Sequence, residues 1–180
     1  MIDTEAHRAA LSAGGRTIAV MGNGLERVYP ADNARLADEI TEHGAVVSQF
    51  FPATPPTKGT FPLRNTVTSG MGQGTIVIEA SHTSGARLQA RLAIEHGKHA
   101  FLLKSLVDAY EWAGEFARKD RVVIVSDVEE VLEYLTPVDQ LEERLRNDAH
   151  AIREATAEPP EFVQQRMRHR RDRGQTQLPL

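Results

Sequence analysis

The chain has 180 residues, no cysteine, 41% hydrophobic and 26% charged residues, and a formal net charge of −4. That length fits one domain with a tail, and the lack of cysteine excludes a disulfide framework, a thiolate metal site and a cysteine nucleophile. The acidic balance excludes a nucleic-acid binder that is basic over its whole surface, but it leaves room for a local basic groove.

The amino-terminal run MIDTEAHRAAL is charged and has no apolar stretch, so it does not read as a signal peptide. No apolar run approaches the roughly 18 residues that span a bilayer, so no membrane partner is expected. A reducing cytoplasm suits a cysteine-free chain. Seven histidines are present, but none forms the i, i+4 helical pair of a metalloprotease. His96 and His99 read as surface imidazoles, and no metal or cofactor is expected.

In chain order, residues Thr4 to Ser12 read as a helix stopped by Gly14 and Gly15. Arg16 to Met21 reads as a buried strand, followed by a tight turn at Gly22-Asn23-Gly24. Tyr29-Pro30 leads into a helix from about Ala31 to His43, where Leu36 and Ile40 share a face. Ala45 to Ser48 is a short strand. The loop from Gln49 to Thr60 carries three prolines and a glycine, which bar it from helix or central strand.

A helix is expected over Leu63 to Met71, then a strand over Thr75 to Glu79 that is apolar on both faces. Ser84 to His96 reads as a helix ended by Gly97, and His99 to Leu103 as the next strand. Ser105 to Arg118 reads as one amphipathic helix carrying Trp112, and Arg121 to Val125 as a further strand. Ser126 and Asp127, with Glu129 and Glu130, resemble a capping box opening a helix to Leu135.

Strands alternating with helices indicate an α/β fold: a Rossmann-like, three-layer arrangement around a mainly parallel sheet with right-handed crossovers. The expected domain covers residues 1–136. Residues 137–180 read as a charged helical and basic tail, with a helix over Val138 to Ala157, an Arg-rich stretch from Glu161 to Arg173 and a disordered end. Such a tail either stays solvated, packs on the domain or a partner, or binds polyanions.

Ligands of parallel α/β sheets sit beyond the carboxyl ends of the strands. Three constellations fall there. Gly22-Asn23-Gly24 follows a strand but lacks the third glycine of a dinucleotide fingerprint and the lysine of a P-loop; it serves either phosphate binding or turn geometry alone. Ser84-Gly85 opens a helix, where unpaired N–H groups and the helix dipole favour an anion; the plainer reading is a serine N-cap. In FPLRN, Pro62 stiffens the turn, Arg64 can fork onto a phosphate, and Asn65 can bond backbone or a base edge. Phe61 either stacks on a base or plugs the core. Lys58 adds a point charge nearby. Glu79, which ends its strand, has no second carboxylate or histidine at a suggestive spacing, so a structural role outweighs a general-base role. No catalytic residue is expected.

The stretches Ile2-Asp3 with AHRAAL, TIAVMGNGLERVYP, SQF, FPLRN and EASHTSGARLQA occur in one order over residues 2 to 103. In that order and spacing they resemble the DNA-processing protein DprA (Smf) family, whose patterns run G-I-D-x-x-A-H-x-x-A-L, T-I-A-V-L-G-x-G-L-D-x-x-Y-P, S-E-x-P, F-P-x-R-N-R and E-A-x-x-x-S-G-x-x-x-T-A. The chain departs from the family at Met1 (Gly there), Gln49 (Glu), Thr66 (Arg), Gln89 (Thr) and Lys104-Ser105 (Pro-Gly). The family's upstream strand with its Gly-Ser/Thr-Arg turn has no counterpart, nor does a winged-helix domain. The chain therefore resembles the latter part of the family's domain.

The resemblance implies a non-enzymatic protein that binds single-stranded DNA and delivers the RecA recombinase onto it in transformation and recombination, as a homodimer. Lys58, Arg64 and Arg87 would supply charge; Gly22, Asn23, Gly24, Asn65, Ser84 and Gly85 would line the backbone approach. Two alternatives stay open within the same superfamily. One is a nucleotide phosphoribohydrolase of the P-G-G-x-G-T-x-x-E type. Against it, the leading Pro-Gly is missing and Glu79 follows Gly72-Gln73-Gly74-Thr75 one residue too late, which moves the carboxylate to the other face of a strand. The other is a sensor that binds a small nucleotide without chemistry.

Overall fold

The computed structural model describes residues 2–81 and 84–157. They fall into two compact units, divided between Leu135 and Thr136. In the first, α1 (Ile2–Ser12) precedes β1 (Ile18–Val20). A 3-10 turn at Ala31–Asn33 runs into α2 (Ala34–His43), and β2 (Ala45–Val47) follows. Then come α3 (Thr60–Met71), β3 (Gly74–Val77), α4 (Gly85–Glu95), β4 (His99–Leu103), α5 (Lys104–Ala109), α6 (Glu111–Phe116), β5 (Val122–Val125) and α7 (Val128–Leu132). The second unit holds the 20-residue α8 (Val138–Ala157).

Every strand pair among the described residues is parallel, as the alternation of strands and helices requires. The strands nevertheless form two ladders rather than one sheet, β1–β2 and β3–β4–β5. The registers are Val20 opposite Val47, Ile76 opposite Phe101, and Leu102 opposite Ile124.

The core sits around β4, which alternates between two buried faces with the period of two that a strand imposes. Ala100 and Leu102 join Val77, Ala90, Ala93, Leu106, Trp112 and Ala113 on one side. Phe101 joins Val125 and Val131 on the other. Burial on both faces is what a central parallel strand needs. Ala90 and Ala93 are fully buried, and their small side chains let α4 lie close to the sheet.

Local chemistry moves several element ends away from the sequence expectation. Helix α3 begins at Thr60 rather than Leu63, because Thr57 and Thr60 cap each other: the Thr57 N–H donates to Thr60 Oγ1 at 3.0 Å and the Thr60 N–H to Thr57 Oγ1 at 3.2 Å. Pro62 then falls in the first turn, where its missing N–H is no loss. The single helix expected over Ser105 to Arg118 is two, broken at Tyr110, whose backbone is extended at φ −135 and ψ 121. The expected capping box is present: the Glu130 N–H donates to Asp127 Oδ1 at 3.1 Å, and Glu130 Oε2 accepts from the Ser126 N–H at 2.7 Å. The Arg-rich stretch and the end of the tail lie outside the described residues. No helix among the described residues is long and apolar enough to cross a membrane.

Candidate nucleic-acid interface

The FPLRN segment occupies the first turns of α3 and ties three elements together. Arg64 Nη1 donates to the Val20 carbonyl at the end of β1, 2.9 Å away, and Nε donates to Asn65 Oδ1 at 3.0 Å. Asn65, which is buried, sends its Nδ2 to the Gly85 carbonyl in the first turn of α4, 3.4 Å away. Asn65 thus takes the backbone role of the two open to it and orients Arg64. The remaining terminal nitrogen of Arg64 has no hydrogen bond among the described residues. Burial pushes the guanidinium below its ordinary pKa, and the Asp3 carboxylate works in the opposite direction. The group stays charged at neutral pH because an arginine starts so high.

One aromatic ring, Phe61, lies beside this cation. The Arg64 guanidinium lies 5.9 Å from the centre of the Phe61 ring, and Tyr29, a residue 53% exposed, approaches Phe61 at 6.0 Å. Phe51 is 86% exposed, and Lys58 is exposed with no ion pair among the described residues. No motif of the sequence marks Tyr29 or Phe51 as a site residue. Their signal was an aromatic beside a proline in each of two loops that follow strands.

The turn at Gly22-Asn23-Gly24 is buried. A Cβ on Gly22 would come within 2.6 Å of the Phe61 ring, and one on Gly24 within 2.1 Å of both the Phe51 and Pro52 carbonyl oxygens. Both glycines are therefore required by contact with the protein's own chain. The Gly24 N–H also donates to Thr54 O at 2.9 Å, which fastens the turn to the proline-rich loop. Asn23 Nδ2 donates to the carbonyls of Gly24 and Arg27, both at 2.8 Å, and Ser48 Oγ donates to Asn23 O at 2.7 Å. Asn23 Oδ1 is buried with no partner among the described residues.

Ser84 caps α4, its Oγ accepting from the Ala86 N–H at 3.2 Å. Among the described residues, a Cβ on Gly85 would meet only Asn65 Nδ2 at 3.7 Å, an ordinary contact, so this glycine is open there where Gly24 is closed. Arg87 is half-buried, with its guanidinium 4.7 Å from the Trp112 ring centre, so one face of it is engaged by the protein. Glu79 is exposed just past β3. No cluster of metal-ligating side chains occurs among the described residues.

The structure thus joins Arg64, Asn65 and Gly85 through hydrogen bonds, and sets the 22–24 turn against Phe61 and the loop that carries Phe51. Comparison with known proteins identifies the family. The family profile of DNA recombination-mediator protein A matches residues 2–136. Protein Smf of Escherichia coli K12 is 40% identical over 136 residues, which are 74% of this chain and 36% of that protein. The chain therefore spans little more than a third of the length of that relative. An X-ray structure of DNA processing protein A from Streptococcus pneumoniae superposes with a TM-score of 0.64 at 33% identity, over 76% of this chain and 49% of that one. DNA processing protein A from Helicobacter pylori, a structure described for its single-stranded DNA binding mode, gives a TM-score of 0.58 at 25% identity, over 65% and 54%. On its sequence match and its Rossmann-like fold, the chain belongs to the DNA recombination-mediator protein A (DprA/Smf) family.

Proposed function

We propose that this chain binds single-stranded DNA without turning it over, and delivers the RecA recombinase onto it as a homodimeric mediator of recombination and transformation. The observation that carries the DNA-binding reading is Arg64, pinned on one side to the end of β1 and set beside Phe61, against which Tyr29 packs. A fixed cation next to aromatic faces suits single strands, which offer phosphates and unpaired bases together and need no sequence-specific readout. Lys58 and Phe51 extend the same combination into the loop before α3. Gly85 leaves room for a phosphate near the start of α4, and Ser84 and Arg87 flank it. The H. pylori relative, described for its single-stranded DNA binding mode, supports the choice of ligand.

The test is fluorescence anisotropy of a labelled oligo-dT across a series of salt concentrations, with duplex of the same length as competitor. Binding that weakens steeply with salt and prefers the single strand is the expected result, and a RecA-loading assay with sizing of the free protein follows from it. A folded chain that leaves the oligonucleotide free at low salt overturns the reading. If it then binds a nucleoside monophosphate tightly, the openness at Gly85 serves a nucleotide sensor instead; turnover of that nucleotide would mark a hydrolase.

A further inference from the structure

Arg87 stands in the first turn of α4, three residues after its cap Ser84 and beyond the carboxyl end of β3. That is an unfavourable place for a cation, because the positive end of the helix dipole lies there. The turn holds no acidic side chain to balance it. The arginine is nevertheless half-buried, with its guanidinium 4.7 Å from the centre of the Trp112 ring. Two positive fields are thus set together at one point, and an aromatic face holds the guanidinium there.

The ring is as unusual as the cation. Trp112 is the chain's single tryptophan. It is buried in the core cluster with Ala90, Leu102 and Ala113. Its Nε1 is buried with no partner among the described residues, a desolvation cost that phenylalanine or leucine would not incur. What an indole adds in return is the strongest ring face for a cation. Trp112 also stands two residues after the extended Tyr110 that separates α5 from α6, so its direction is not set by the register of α5.

We propose that Trp112 is a positioning residue for nucleic-acid binding: its ring holds the Arg87 guanidinium beside the opening of α4, as a preset cation for a phosphate of the single strand. The proposal rests on the DNA-binding reading above and adds to it a buried residue that acts only through Arg87. An arginine fixed before contact loses less rotamer freedom on binding. Its charge then adds to the dipole of α4, which favours an anion at the same point.

The experiment is a double-mutant cycle on the full 180-residue chain, read by oligo-dT anisotropy across a salt series, with Arg87→Ala, Trp112→Leu and the two combined. Arg87→Ala should lower the salt slope by about one unit. Trp112→Leu should weaken binding about three- to fivefold while Arg87 is present, and hardly at all in its absence. Trp112→Phe, which keeps a ring in the core, should recover most of that loss. The wild type gives a second readout that needs no change at position 112. Its one tryptophan should change its emission when oligo-dT binds, and in Arg87→Ala saturating oligo-dT should leave that emission unchanged. Equal losses for Trp112→Leu with and without Arg87, or wild-type emission indifferent to bound oligo-dT, would make the pair a packing contact. Either result overturns the proposal and leaves the DNA-binding reading intact. A folded wild type that leaves oligo-dT free at low salt removes both.

Discussion

Arg64 and Val20 are 44 residues apart in sequence, yet the arginine's Nη1 donates to the valine's main-chain carbonyl at 2.9 Å. One guanidinium thus serves two ends, fastening α3 to β1 and presenting a cation beside Phe61. Replacing it should therefore move two readouts. Arg64→Ala leaves the Val20 carbonyl and Asn65 Oδ1 without their donor, which costs about 1–3 kcal/mol. It should also lower the slope of log affinity for oligo-dT against log salt by about one unit. Arg64→Lys keeps the charge and loses the fork, so it should lower the urea midpoint while nearly retaining the slope. An Ala variant with the parental salt slope would show that the arginine is structural only.

Lys58 and Phe51 allow a cleaner test, because neither has a structural duty among the described contacts. Phe51 is 86% exposed, and what it gives the fold is its carbonyl oxygen, beneath Gly24 and bonded to the Thr54 N–H at 2.9 Å. Phe51→Ala should leave the melting temperature in place and weaken oligo-dT binding by about 1–3 kcal/mol, the contribution of one stacked base. Lys58→Ala should likewise spare stability and reduce the salt slope by about one. Both are read in one anisotropy series, and unchanged binding in both variants would remove this loop from the interface.

Much of this architecture is legible in the sequence because local signals agree with it. The span of α8, the start and stop of α4 at Ser84 and Gly97, and the capping box at Asp127 rest on caps and periodicity within a few residues. The features that escape are those set across distance. Tyr110 breaks a segment whose pattern reads as one helix, and its backbone turns extended at a point where neither glycine nor proline gives warning. The division into two ladders depends on which strand edges find partners, which hydrophobic alternation does not encode. The site shows the same limit: FPLRN is visible as a motif, but that Arg64 reaches Val20 and Asn65 reaches Gly85 follows only from the packing of α3.

The glycines make the contrast testable, since identical sequence signals have opposite surroundings. A methyl on Gly24 would meet the Phe51 and Pro52 carbonyls at 2.1 Å, and these are backbone atoms that cannot swing aside. Gly24→Ala should destabilise the fold by about 1–3 kcal/mol or more through displacement of the 51–54 loop, and DNA binding should fall with it. Gly85→Ala meets one contact among the described residues, at 3.7 Å, and sits where alanine is a better helix former than glycine. It should keep or raise stability. If a phosphate approaches the start of α4, its affinity for oligo-dT should still drop several-fold; equal affinity would place the DNA elsewhere.

The fold should also weaken in mild acid through His7. Its Nδ1 lies 2.7 Å from Thr17 Oγ1, joining α1 to the entry of β1. Burial lowers its pKa from 6.5, and Asp3 opposes the shift. A histidine with a depressed folded pKa binds its proton more readily when unfolded, so its contribution is whole above pH 6.5 and is lost as pH falls from there through the folded value. Thermal melts between about pH 5 and about pH 8 should show the wild type losing stability on the acid side. His7→Gln, which does not titrate there, should lose less over the same interval. Parallel profiles for the two proteins would mean that His7 is not the group responsible.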